Sequence, residues 1–271
     1  MRQQRRAPDG WNGSTQIMNT AKSVHGVLLL FLLASCAHQR TSLSGSVPLA
    51  VHRTAMPIQL DGSVDKPVWQ QVKPIRFDIP RELQQQGQSL EEAGAARLLW
   101  DDQYLYVAFD FTDSDVVANG TEDDQEHHNL GDVAEIFLKP TDQTWYWEFH
   151  VTPAGYVSTY LHHGRGRFGL QGVNSHVKPR FIEAAARVRG TLNDDRDRDE
   201  RWTAEVAIPW SKLDGFGEKP DVKANWTILL ARYNYTRYRT QATGPELSSW
   251  PVLSRAAYHL VEQYAPLKLV P

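Results

Sequence analysis

The chain has a single cysteine, Cys36, so no disulfide can form within it and a folded domain must rest on its hydrophobic core. Long apolar runs are also missing. The run Val27–Ala34 (VLLLFLLA) is eight residues long, far short of the ~20 needed to cross a bilayer as a helix. Strong charge of one sign is absent: 29 Lys and Arg against 32 Asp and Glu give a net charge of −3 and a pI near 6.4. That balance gives no electrostatic case for nucleic acid or an anionic lipid surface as partner. No Gly-x-Ser-x-Gly or His-Glu-x-x-His motif occurs, and no repeat of propeller or solenoid period. What is abundant is aromatic: nine Trp, ten Tyr and nine Phe.

The apolar run follows Lys22 and His25 and ends in Leu-Ala-Ser-Cys. This is the pattern of an export signal, and its ending resembles the lipobox of bacterial lipoproteins, in which Cys36 is lipidated and becomes the mature N-terminus. The expectation is a signal peptide over 1–35 with Met18 a plausible start, a tether over 36–56, and a folded domain over 57–271. Ala37, in place of an aspartate after the lipidated cysteine, points to sorting to the outer membrane, facing the periplasm or the cell surface.

Beyond Pro57 the chain reads as short strands punctuated by turns, with hardly any amphipathic helix. Ala96 to Phe111 is the clearest strand pair, turning at Asp101-Asp102-Gln103. Leu105, Val107, Phe109 and Phe111 share one face, with Tyr104, Tyr106, Ala108 and Asp110 on the other. Val133 to Leu138, Trp145 to Thr152 and Gly155 to His162 continue the meander. Phe181 to Arg189 and Arg201 to Ile208 flank a charged hairpin, and Trp226 to Tyr235 and Tyr258 to Leu269 close the domain. Short helical turns are expected around Trp69 and Trp210, and a helix fragment within the polar segment from Arg81 to Gly94. Nine to eleven strands without long helices predict an all-β, antiparallel sandwich.

Several residues stand out for chemistry. Trp69, Trp100, Trp202 and Trp226 fall at core positions, whereas Trp145 or Tyr146 could serve as a platform at the start of its strand. Glu135 and Glu148 occupy strand interiors, where a carboxylate needs solvent, an ion pair or a ligand. The run from Arg232 and Tyr233 to Arg239 is aromatic and basic, which suits saccharide stacking as well as an exposed strand. Metal ligation is suggested only locally. Asp195, Asp197 and Asp199 lack the glycine and the terminal glutamate of an EF-type calcium loop. The pairs His127-His128 and His162-His163 lack zinc-site spacing, and either could instead offer a ligand to a surface metal; Glu122-Asp123-Asp124 is the best oxygen-rich loop for calcium.

Six segments in order, IQLDGSVDKPVW, LLWDDQYLYVAFDFTD, GDVAEIFLKP, YWEFHVTPAG, RWTAEVAIPWSKL and SSWPVLSRAAYHL, resemble the family 9 carbohydrate-binding modules across roughly 57–270. The resemblance implies a non-catalytic β-sandwich that binds oligo- or polysaccharide, with structural calcium possible and no cofactor required. It also implies a sugar clamped between two tryptophans. The second maps onto Trp250, while Asn129 stands at the position of the first. Glu135 and Asp132 match the family's acidic positions, and His150 stands where an arginine is expected. Two further classes stay open: a glycoside hydrolase, since paired carboxylates on a β-scaffold perform that chemistry, and a haem-binding electron-transfer sandwich. The latter needs a methionine axial ligand, and only Met56, in the expected tether, follows Cys36.

Overall fold

The computed structural model describes residues 48–164, 175–177, 180–222, 225–238 and 244–271. The expected signal peptide and Cys36 lie outside the described residues. Thirteen strands form one continuous sheet: β1 (Leu49–Arg53), β2 (Ile75–Arg76), β3 (Gly94–Trp100), β4 (Tyr104–Thr112), β5 (Val133–Pro140), β6 (Tyr146–Val151), β7 (Val157–His162), β8 (Ser175–Val177), β9 (Glu183–Arg189), β10 (Arg201–Pro209), β11 (Trp226–Asn234), β12 (Glu246–Trp250) and β13 (Ala265–Val270). Their order is β8-β7-β6-β5-β11-β13-β1-β3-β4-β10-β9, with β12 beside β11 and β2 beside β3.

The sheet folds over on itself as a sandwich. A single buried cluster joins Phe109, Phe111, Trp202 and Val206 of one half to Ile136, Leu138, Trp147, Ile228 and Leu230 of the other. Strand alternation directs these side chains inward. Trp69, Trp202 and Trp226 are fully buried, and Trp100 nearly so, as their positions in the sequence predict. The helical turns also form where expected: α1 (Pro67–Gln70) carries Trp69 with Pro67 in its first turn, α2 (Arg81–Gln85) lies in the polar segment, and a 3₁₀ turn spans Trp210–Lys212.

Two expectations are corrected. The segment read as tether supplies β1, which runs parallel to both of its neighbours, β13 and β3. The folded region therefore includes Leu49–Arg53 rather than opening at Pro57, and the sheet is not wholly antiparallel. Residues 258–264 are not strand: they form a loop and a 3₁₀ turn at Val261–Gln263, and β13 begins at Ala265. Leu253, Tyr258, Leu260 and Tyr264 pack on Phe137, Leu229 and Ala231. The loop thus covers part of the second, outer face of β5 and β11.

Candidate functional site

The outer face of β5, β6, β7 and β11 gathers a cluster of buried charged and imidazole side chains. In β6, Trp147, Phe149 and Val151 enter the core, so Tyr146, Glu148 and His150 must point the other way. Strand register then sets the rows. Glu135 lies opposite His150, and His150 opposite Ser158; Phe137 lies opposite Glu148, and Glu148 opposite Tyr160; Tyr146 lies opposite His162. On the other side of β5, Ala231 faces Glu135 and Tyr233 faces Val133.

The polar side chains form a connected chain. His150 Nε2 is 2.6 Å from Glu148 Oε1 and 3.1 Å from Glu135 Oε1, and His162 Nε2 is 2.7 Å from Glu148 Oε2. Glu135, Glu148, His150 and His162 are all buried. The half-buried His128 approaches from the 3₁₀ turn His127–Asn129, its ring 5.8 Å from that of His150 and 5.7 Å from that of Tyr233. His259 comes from the covering loop and is exposed, with Nδ1 2.8 Å from the Tyr146 hydroxyl.

Burial works against every charge here. It would lower the pKa of His150, but Glu135 and Glu148 outweigh it and hold the imidazole at about 10. Burial likewise opposes ionisation of Glu148, yet its bonds to His150 and His162 hold it well below the ordinary carboxylate range. Glu135 is raised by burial, only partly offset by His150. His128 and His259 are lowered, first by desolvation against the sheet. Tyr160 is pushed up to about 12, chiefly by burial. The face therefore offers ionised and neutral acceptors, imidazole donors and aromatic edges within one patch.

The residues expected to line a sugar site divide between the two faces of the sheet. Glu135, His150 and Tyr233 share the outer face, Tyr146 forms part of its floor, and the exposed Asn129 follows His128, its amide on Glu126 Oε2 at 3.1 Å. Trp250, Asp132, Arg232 and Trp145 are not with them. Trp250 lies opposite Leu230, a core residue, and directly paired side chains of antiparallel strands share a face. It therefore packs toward the core and borders an open cleft with Leu49, Ile75 and Arg76. Trp145 is core, with its indole against Gly215, where an added Cβ would lie 2.7 Å from the ring.

Asp132 ties down backbone, accepting from the N–H groups of Val117 and Tyr235, each at 2.7 Å. Arg232 is fully buried over the Phe111 ring and donates to Asp113 and Asn234, both at 2.9 Å. It is a structural arginine, and surplus carboxylate around it leaves a mark. Asp113 is raised to about 6, by burial first, with Arg232 opposing and Glu92 reinforcing the shift.

Groups able to ligate a metal fall in two clusters. Among the described residues, the clusters whose ligand atoms converge are His128, Glu135 and His150, and Glu148, His162 and His259. Each adjacent histidine pair contributes one member. His259 gave no local signal, since a loop brings it across the sheet. Asp123 of the acidic loop instead accepts from the Val157 N–H and pairs with Arg180, both at 2.9 Å. Asp199 accepts from the N–H groups of Val116 and Thr191, both at 2.6 Å.

The fold is a β-sandwich folded over on itself, and its outer face gathers carboxylates, imidazoles and tyrosines. The chain belongs to the carbohydrate family 9 binding domain-like family, whose model matches residues 60–241. A stretch of 142 residues, 51% of the chain, is 29% identical to endo-1,4-beta-xylanase A of Thermoanaerobacterium saccharolyticum, and it spans only 10% of that enzyme. The fold is similar to that of a Bacteroides uniformis protein regarded as carbohydrate-binding, with a TM-score of 0.59 at 12% identity, covering 82% of this chain and 99% of that one. A family 9 carbohydrate-binding module of Caldicellulosiruptor kristjanssonii, solved with glucose, gives a TM-score of 0.48 at 14% identity, covering 82% of this chain and 96% of that one.

Proposed function

We propose that this domain binds oligo- or polysaccharide without transforming it, at the outer face of β5, β6, β7 and β11. One observation carries the reading: two buried carboxylates, Glu135 and Glu148, sit beside the half-exposed rings of Tyr233 and His128 in a family of carbohydrate-binding domains. A sugar ring presents an apolar CH face and a rim of hydroxyls. Tyr233 and His128 suit the first, while the exposed Asn129 amide and His259 suit the second. Calorimetric titration against a panel of oligosaccharides tests this. Saturable binding is expected, weakened about tenfold or more by Tyr233→Ala. Absence of binding to every glycan, or release of hydrolysis products, overturns it.

The same reading takes the chain to be exported and held to a bacterial membrane by lipid on Cys36, capturing glycan for breakdown. The run Val27–Ala34 ending in Leu-Ala-Ser-Cys supports it. Fractionation of cells expressing the wild type and Cys36→Ala checks it: the wild type is expected with membranes and the variant in the soluble fraction, and equal distribution refutes the anchor.

A further inference from the structure

The geometry points to a divalent transition-metal site on the outer face, formed by Glu148, His162 and His259 and suited to a cation of the zinc class. The three residues arrive from β6, β7 and the loop before β13, and their ligand atoms all lie within 4.8 Å of one another. Metal–ligand bonds of about 2.0–2.2 Å place donors on a common ion roughly 3–3.5 Å apart. Closing the set therefore needs the hydrogen-bonded pair of His162 Nε2 and Glu148 Oε2, now 2.7 Å apart, to release its proton and open slightly, and the exposed His259 to move in by about an ångström.

The donors are already braced. Tyr146 stacks on His162, with ring centroids 4.6 Å apart and planes 13° apart, and its hydroxyl meets His259 Nδ1 at 2.8 Å. His150 Nε2 holds the other oxygen of Glu148 at 2.6 Å. Supporting contacts of this kind orient metal ligands and fix their tautomers.

The donor set selects the ion. Two imidazoles and one carboxylate suit zinc and its first-row neighbours, whereas calcium and magnesium take oxygen ligands. The neighbouring trio His128, Glu135 and His150 is the weaker candidate, because His150 Nε2 is already engaged by two carboxylates and no member is as exposed as His259. Three protein ligands, of which only His259 is exposed, leave a coordination position for water or a ligand oxygen. The inference goes beyond saccharide binding and does not depend on it.

The test is calorimetric titration of the chelator-treated full chain with zinc chloride, in the absence of sugar, together with His259→Ala and His162→Ala. Expected is saturation at one zinc per chain that His259→Ala weakens about tenfold or more. Cobalt(II) substituted at the site should show the visible absorption of a low-coordinate centre. Zinc binding that does not saturate, or that His259→Ala leaves unchanged, overturns the assignment. His259 is exposed, so its replacement tests the site even where His162→Ala fails to fold. Saccharide titration in chelator, run separately, reports on the sugar reading alone.

Discussion

Glu205 lies fully buried in the middle of β10, and its carboxylate collects the start of the domain. It accepts from the N–H groups of Asp61 at 2.8 Å and Gly62 at 2.9 Å, from Trp69 Nε1 at 2.7 Å and from Lys66 Nζ at 2.6 Å. Gly62 is required at its turn: its φ is +79° and an added Cβ would lie 2.7 Å from the Ala186 backbone. The spacing in LDGSVDKPVW thus serves a single buried acceptor. Glu205→Gln turns one acceptor oxygen into a donor facing donors and leaves the Lys66 ammonium without a full counter-charge. A loss of about 2–4 kcal/mol is expected, seen in thermal unfolding as a midpoint lower by roughly 5–15 °C. A change under about 0.5 kcal/mol in denaturant unfolding contradicts this role.

At the scale of elements, legibility followed from how each strand is buried. The alternation in β4 and β10 is plain because their core-facing residues are large and apolar, and the hairpin at Asp101 is written in its turn: Asp101 Oδ1 accepts from the N–H groups of Gln103 at 2.8 Å and Tyr104 at 2.7 Å. β1 is short, has one buried residue, Val51, and pairs with strands distant in sequence, so no local period betrays it. β6 is buried on both faces, and YWEFHV shows its inward Trp147 and Phe149 without showing what covers Tyr146, Glu148 and His150. The carboxylates of the site could be named from the sequence because a strand-interior glutamate is costly. Their alignment with His150, His162 and His259 depends on register and on a loop crossing, neither of which a linear pattern records. The same limit hides the face that Trp250 takes: residue type and order suggest a stacking platform, and its pairing with Leu230 turns it away from the face of Glu135 and Glu148.

At the scale of the whole molecule, this division of faces lets the proposed site be told apart from the core. Trp250 fills the margin of the core beside β1 and borders a cleft of about 1440 Å³ whose other walls include Arg76, Gln71 and Lys66. A cleft of that size could hold a saccharide, which makes it a physical rival to the outer face. Tyr233, by contrast, packs against His128 and Tyr258 on the face that carries Glu135 and Glu148. If the outer face is the site, Trp250→Ala should cost about 1–3 kcal/mol of stability through the cavity it leaves and shift saccharide affinity by no more than about twofold, or ~0.4 kcal/mol. Tyr233→Ala should do the reverse, losing affinity at a smaller cost in stability. Parallel denaturant unfolding and calorimetric titration of the two variants separate the cases. Loss of saccharide binding in Trp250→Ala with retention in Tyr233→Ala moves the site to the cleft beside β1, and the carboxylate and imidazole chain of the outer face would then be left to metal alone.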